Sequence, residues 1–283
     1  MHNRPLNPSG VDWAAHWKKK VEVRAAHPVG ARNWDDRAGR FARMTAELNT
    51  SRDPLVRMLS DAIHPEDTVL DVGAGAGRYA LPLAQLAARV TAVEPSAGMR
   101  ASLEETVKQR EISNVAVVAG TWQEAAVEPH DVVLCAHVTY FVADIVPFIE
   151  KLDAAAKRAC YIHVRVDEAG ARVYPLWEQL FEGPYPSEPG FADLYPLLLS
   201  LGIRPNVEIA GGERGATFAS TDDAVEQSKP NLGIPLDDHQ YDARMHAYFA
   251  DRLVPQGERM TLPGVSQQSA ILWWEKGEAP SGS

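Results

Sequence analysis

From Thr68 to Val166 the chain alternates short apolar runs with helical segments, and that alternation leaves few folds open. TVLDV, RVTAVEP, NVAVVAG, HDVVLCAH and RACYIHVRV are too short for helices and too continuously apolar for strands with one face in water. Between them lie GRYALPLAQLAA, SAGMRASLEETVKQR and a helical stretch around IVPFIEKLDAAA. Strands buried on both faces and joined by helices of about ten to fifteen residues form a parallel sheet with helices on each side. Two more strands, NVEIA and QQSAILWWEK, follow beyond Asp167 and bring the number to seven. The expected fold class is α/β: a doubly wound, mostly parallel seven-stranded sheet.

The flanking regions read differently. VDWAAHWKKKVEVRAA and NWDDRAGRFARMTAEL predict two amphipathic helices, with Trp13 and Trp17 four apart and Trp34, Ala38 and Phe41 on one face. Residues 1–53 are therefore expected as a helical N-terminal cap on a domain of residues 54–276. That domain is expected to carry lid insertions at about 168–204 and 211–264, and residues 277–283 to form a disordered polar tail. Within the second insertion, GGERGATFASTDDAVEQ reads as a loop and a helix capped by Ser220 or Thr221, and DDHQYDARMHAYFADRL as another helix. A formal net charge of -10 opposes a polyanionic partner, so no nucleic acid is expected. Cys135 and Cys160 fall inside apolar strands and read as reduced core thiols; no Cys/His cluster has zinc spacing, so no metal is expected. MHNRPLNPSGVDW lacks the apolar core of a signal peptide and no apolar run suits a bilayer, so a cytoplasmic protein with no membrane partner is expected.

The first strand ends in Asp71-Val72-Gly73-Ala74-Gly75-Ala76-Gly77. A glycine-rich turn at this point lets a ligand lie against bare backbone. The dinucleotide pattern G-x-G-x-x-G is not met, because the third glycine comes one residue early, and Asp71 would repel a pyrophosphate. A carboxylate there suits a ligand with an ammonium group. Glu94 closes the second strand about 20 residues past the first glycine, where a carboxylate can accept two hydrogen bonds from a ribose diol.

This ordered set resembles motif I and the following acidic position of class I S-adenosylmethionine-dependent methyltransferases. The resemblance is good over residues 68 to 166 and holds only in outline elsewhere. It implies a Rossmann-like methyltransferase fold, S-adenosyl-L-methionine as cofactor, and methyl transfer to an acceptor. It places Asp71, Gly73, Ala74, Gly75 and Gly77 at the amino-acid end of the cofactor, Glu94 with Pro95 at the ribose, and Met99 on the adenine. Where the family usually has an acid after the third strand, this chain has Thr121, followed by Trp122. The Thr121 hydroxyl and the Trp122 backbone N–H are then the adenine contacts. His137 lies beside the methionine part, and His137 and Tyr140 are the candidates for acceptor contact or proton removal. His163 reads as a satisfied core histidine, and Trp34 and Asp35 as lid residues. The aromatic insertions favour a small, partly apolar acceptor. Three alternatives stay open: a cofactor-binding regulatory protein without transfer, a tRNA or protein methyltransferase, and a nucleotide-dependent oxidoreductase.

Overall fold

The computed structural model describes residues 5–7, 9–30, 35, 39, 53–166, 174–212, 216–263 and 267–276. Of the expected helix from Trp34 to Phe41, only Asp35 and Gly39 are among them, both helical; the expected tail at 277–283 lies outside the described residues.

The strands of the main sheet are β1 (Thr68–Val72), β2 (Arg89–Glu94), β3 (Val115–Ala119), β4 (His130–Ala136), β5 (Ala156–Arg165), β6 (Asn206–Gly212) and, after three short strands elsewhere, β10 (Gln267–Glu275). They form seven strands in the order β3-β2-β1-β4-β5-β10-β6. β1 to β5 are parallel, while β10 runs antiparallel between β5 and β6. The direction of winding reverses between β1 and β4, and the crevice outside the carboxyl ends of the strands at such a switch point is where open α/β sheets bind ligands.

Alternate residues of each strand feed two cores. On one face Leu70, Val133 and Ile162 pack with Phe148, Leu197 and Trp17. On the other, Val69, Leu134 and Tyr161 pack with Leu59, Leu83 and Leu103. The first face is covered in part by α1 (Trp13–Ala25), a helix begun by Asp12, whose carboxylate accepts from Ala15 N at 2.9 Å. Trp17, Val21 and Arg24 are its buried stripe, at i, i+4 and i+7. The Trp17 indole donates to Val142 O at 2.8 Å, so the ring is buried with its polar edge satisfied. On the second face lies α2 (Pro54–Ala62), with Asp53 as its N-cap and Pro54 in its first turn, where a missing N–H costs nothing.

Two expectations need correction. GRYALPLAQLAA forms only a one-turn helix, α3 (Ala80–Leu83), followed by turns. Pro82 has no N–H for the Arg78 carbonyl, so the regular helix begins only at Ala80. The second insertion is also more than loop and helices. Its strands β7 (Ala216–Phe218), β8 (Val254–Gln256) and β9 (Arg259–Leu262) build a separate antiparallel sheet in the order β7-β9-β8. That sheet packs with helices Tyr174–Leu180, Thr221–Leu232 and Asp242–Arg252 around a third core containing Trp177, Phe218, Leu232, Met245, Phe249 and Leu262. Cys135 and Cys160 are free and fully buried, with burial pushing both thiols up, so both are inert at neutral pH.

Candidate active site at the carboxyl ends of the strands

All three glycines of the loop after β1 have positive φ: +76° at Gly73, +57° at Gly75 and +90° at Gly77. Their surroundings differ. A Cβ at Gly73 would meet Val138 Cγ2 at 2.2 Å, and one at Gly77 would meet Leu103 Cδ1 at 2.5 Å. A Cβ at Gly75 would meet nothing within 4 Å. The outer glycines thus let the loop pack on the protein, whereas the middle one faces open space. Ala74 is buried, and the N–H groups of Gly73 and Ala74 both donate to Val93 O, at 2.8 and 3.1 Å, which pins the loop to the tip of β2.

Asp71 lies beneath this loop, 1% exposed. The Ala80 N–H at the start of α3 bonds to its carboxylate, while Oδ2 has no partner. Burial is the main force on this group, outweighing that N–H, and pushes its pKa up from 3.8 to about 7; the nearby Glu94 charge adds to the rise. An orphaned carboxylate oxygen at neutral pH is a receptor for a cation or a donor.

The Glu94 carboxylate accepts from Gly75 N through Oε2 and from Ser96 N through Oε1, both at 2.8 Å. It therefore ties the open glycine to the start of the next helix, α4 (Ala97–Gln109), whose N-cap is Ser96. Asp35 reaches the same spot from the N-terminal region, accepting from Ser96 Oγ at 2.6 Å and Gly98 N at 2.9 Å. Pro95 is exposed, and Met99 is buried in the first turn of α4.

At the end of β3, Thr121 is exposed and its hydroxyl donates to Glu124 Oε2 at 2.7 Å. Trp122 turns inward: its indole donates to Phe148 O at 3.3 Å and its ring carries the Lys151 ammonium at 4.6 Å. Lys151 also donates to the carbonyls of Trp122, Gln123 and Ala125. The Trp122 side chain thus packs the sheet edge.

After β4 the chain turns at His137, which has φ +60°, an uncommon conformation for a residue with a side chain. Its N–H donates to His163 O at 2.8 Å. The Tyr140 hydroxyl, 2% exposed with its residue, accepts from Arg165 N at 2.6 Å and lies 3.0 Å from His137 Nδ1. Which of the two donates across that contact depends on the tautomer of the His137 ring. Burial, His163 and the Arg165 and Arg78 guanidiniums hold His137 well below its usual value, so it is neutral. Burial likewise pushes Tyr140 up to about 12, so its hydroxyl stays protonated.

The structure adds residues to which the sequence pattern gave no site role. His163 in β5 is 3% exposed, and its ring stands 4.5 Å from that of His137. It is not a satisfied core histidine: Nδ1 is 3.2 Å from the Tyr79 hydroxyl, but Nε2 is buried with no partner. Asp53 Oδ2 accepts from Arg78 at 2.7 Å and lies 3.5 Å from the same Tyr79 hydroxyl. Arg165 stacks over the Tyr140 ring at 4.1 Å and pairs with Glu188. Glu188 also pairs with Arg24 of α1 at 3.3 Å, and Arg24 donates to Pro186 O at 2.6 Å. The segment after β5 and the N-terminal helix are thereby fastened together beside the end of β5. A histidine near the carboxyl end of a parallel strand, on the Ala159–Tyr161 side, was the available signal.

The sheet order and glycine loop fit the fold of a class I S-adenosylmethionine-dependent methyltransferase, and residues 69–159 match the family described as methyltransferase domain. Among individual relatives, an uncharacterized protein of Haemophilus influenzae is 25% identical over 248 residues, 85% of this chain and 88% of that protein. A 115-residue stretch, 38% of the chain, is 34% identical to a 23S rRNA (uracil(1939)-C(5))-methyltransferase of Xanthomonas oryzae pv. oryzae but spans only 24% of that enzyme. Similar solved structures include a candidate methyltransferase of Bacillus halodurans C-125, with TM-score 0.53 and 14% identity over 81% of this chain and 98% of that one. The YcgJ protein of Bacillus subtilis superposes with TM-score 0.52 and 13% identity over 79% and 98%. The fold is shared with both. Among the described residues, no helix is long and apolar enough to cross a membrane, and no group of three or more His, Cys, Asp or Glu could hold a metal ion.

Proposed function

We propose that this methyltransferase acts on a small-molecule acceptor, and that its cofactor lies along the loop from Asp71 to Gly77. The residues fit that group: Gly75 opens to free space where its neighbours do not, and Asp71 Oδ2 is a buried oxygen without a partner. Asp71 would face the ammonium end, Gly73 to Gly77 the backbone, Glu94 and Pro95 the ribose, and Met99, Thr121 and the Trp122 N–H the adenine. Glu94 already accepts two N–H groups, yet a carboxylate has about four acceptor positions and can take the diol as well. S-adenosylmethionine supplies a methyl group on a sulfonium, and its transfer is an in-line displacement that needs alignment and exclusion of water.

The observation that carries the small acceptor is the fastening of Arg24, Glu188 and Arg165. The chain's own N-terminal helix and the stretch around Glu188 meet beside Tyr140 and cover that side of the strand ends, which favours a metabolite over a macromolecule. The net charge of -10 supports the same reading over an RNA acceptor. The rRNA methyltransferase match covers a minor part of that enzyme and supports the shared domain only.

The test has two stages. Titration calorimetry with S-adenosylmethionine and its demethylated product should show saturable binding, and no heat with either at millimolar concentration would overturn the cofactor site. Labelled cofactor with a fractionated metabolite extract should then place label in a low-mass fraction. Label recovered only in RNA or protein would overturn the small acceptor.

A further inference from the structure

We infer that His163 is the proton acceptor of the transfer step and that the methylated atom is the oxygen of a hydroxyl group. This rests on the proposed methyl transfer above and deepens it. The geometry is a chain of three groups from three elements: the Asp53 carboxylate, the Tyr79 hydroxyl 3.5 Å away, and His163 Nδ1 3.2 Å beyond it. Tyrosine has a single proton. The carboxylate draws it more strongly than a neutral imidazole does, so the phenol oxygen receives Nδ1–H from His163. Nε2 is then left as a bare lone pair, buried and unpartnered.

In this reading His137 has the opposite tautomer, with Nε2–H, and Tyr140 donates to its Nδ1. Two neutral imidazoles 4.5 Å apart therefore present one donor and one acceptor at the carboxyl end of the sheet. A hydroxyl group is both an acceptor and a donor, and it complements this pair. The groups facing His163 are Asp53, Tyr79, Arg78 and His137; burial and Arg78 outweigh Asp53 and hold the ring neutral, with its pKa lowered from 6.5 to about 4. The groups beside Nε2, the His137 ring and Arg78, are side chains rather than backbone.

The chemistry selects oxygen over nitrogen. As the hydroxyl oxygen bonds to the methyl carbon, the carbon–sulfur bond breaks and its electron pair stays on sulfur. The oxygen takes on oxonium character and becomes strongly acidic, so even a weak base receives its proton: the O–H bond breaks, an Nε2–H bond forms, and a neutral ether is left. A methylated amine would remain a stable ammonium and would not yield its proton to a base this weak.

The inference is tested first without turnover. Nitrogen-15 NMR of imidazole-labelled protein at neutral pH should show Nδ1–H for His163 and Nε2–H for His137, and Tyr79→Phe should abolish the Nδ1–H preference at His163. A proton on Nε2 of His163 would overturn the inference. His163→Gln keeps a hydrogen-bonding side chain that cannot carry a proton. It should leave calorimetric affinity for S-adenosylmethionine unchanged while methyl transfer to a panel of small phenols and alcohols falls by about 100-fold or more. Transfer that survives in His163→Gln, or label that enters small amines instead, would overturn it with the cofactor reading intact. Loss of cofactor binding by the wild-type protein would instead overturn the proposed function.

Discussion

At Gly73 and Gly77 a side chain would strike Val138 or Leu103, whereas at Gly75 it would enter free space. The three positions share positive φ and so share a conformational cost of about 1 kcal/mol for any residue with a Cβ. They differ in what lies beyond. Gly73→Ala and Gly77→Ala should each add about 1–3 kcal/mol of overpacking and melt far below wild type. Gly75→Ala should lower the melting temperature by only about 2–4 °C, the shift expected for 1 kcal/mol in a domain of this size. Gly75→Val should abolish binding of S-adenosylmethionine with little further loss of stability. Melting curves and calorimetry on the same four variants check this. A Gly75→Val protein that binds as wild type would place the cofactor elsewhere.

The elements show where the sequence was readable. β1, β2, β4 and β5 were legible because strands buried on both faces carry a continuous apolar run, a signal that survives without knowledge of their partners; β3 is less buried, yet its VAVVA reads the same way. β8 and β9 were not, because VPQ is exposed along its length and RMTL is only half-buried at its centre. Their pairing is decided by the third core, which unites residues 29 to 262 and has no local pattern. His163 escaped for a related reason: its strand shows a buried position, but Tyr79 and Asp53, which leave its Nε2 bare, arrive from other elements. The glycine loop with Asp71 and Glu94 was legible since one strand–turn–strand carries all of it. The fastening of α1 to the segment after β5 yields a prediction at this scale. Glu188 is 2% exposed at its side chain and answers two arginines, one nearly buried and one a third exposed. Breaking a buried pair costs about 3–5 kcal/mol, which exposure of Arg165 reduces to roughly 2–3. Glu188→Gln should therefore lower the melting temperature by roughly 5–10 °C. It should also speed proteolysis between β5 and β6 while S-adenosylmethionine affinity is kept. Unchanged melting would mean that the fastening contributes nothing.

Over the whole molecule, two sets of buried groups give stability opposite dependences on pH. Asp71 has its pKa raised from 3.8 to about 7, so between those values the folded protein holds a proton that the unfolded chain has released. Its contribution is fully present below pH 3.8 and is lost as pH rises through about 7. His163 is lowered from 6.5 to about 4, and His137 is lowered well below 6.5 by burial, His163, Arg165 and Arg78. For these the unfolded chain binds the extra proton, so their contribution is present above pH 6.5 and is lost as pH falls toward about 4. Between about pH 4 and pH 6.5 the two slopes oppose each other, and wild-type stability should be flatter there than either set alone would make it. Single substitutions separate them. Asp71→Asn removes the buried charge while keeping the size, so its stability relative to wild type should rise as pH goes from 4 to 7, by a few kcal/mol at most given about 1.4 kcal/mol per pKa unit. His163→Gln should show the mirror image, gaining on wild type as pH falls from 6.5 to 4. Urea melts of the three proteins without cofactor, taken at half-unit steps across this range, give both difference curves. A flat Asp71→Asn curve would mean that Asp71 is ionised in the folded protein at low pH, with a partner for its Oδ2. A flat His163→Gln curve would mean that the imidazole takes its proton as readily folded as unfolded, and that Nε2 is not held bare.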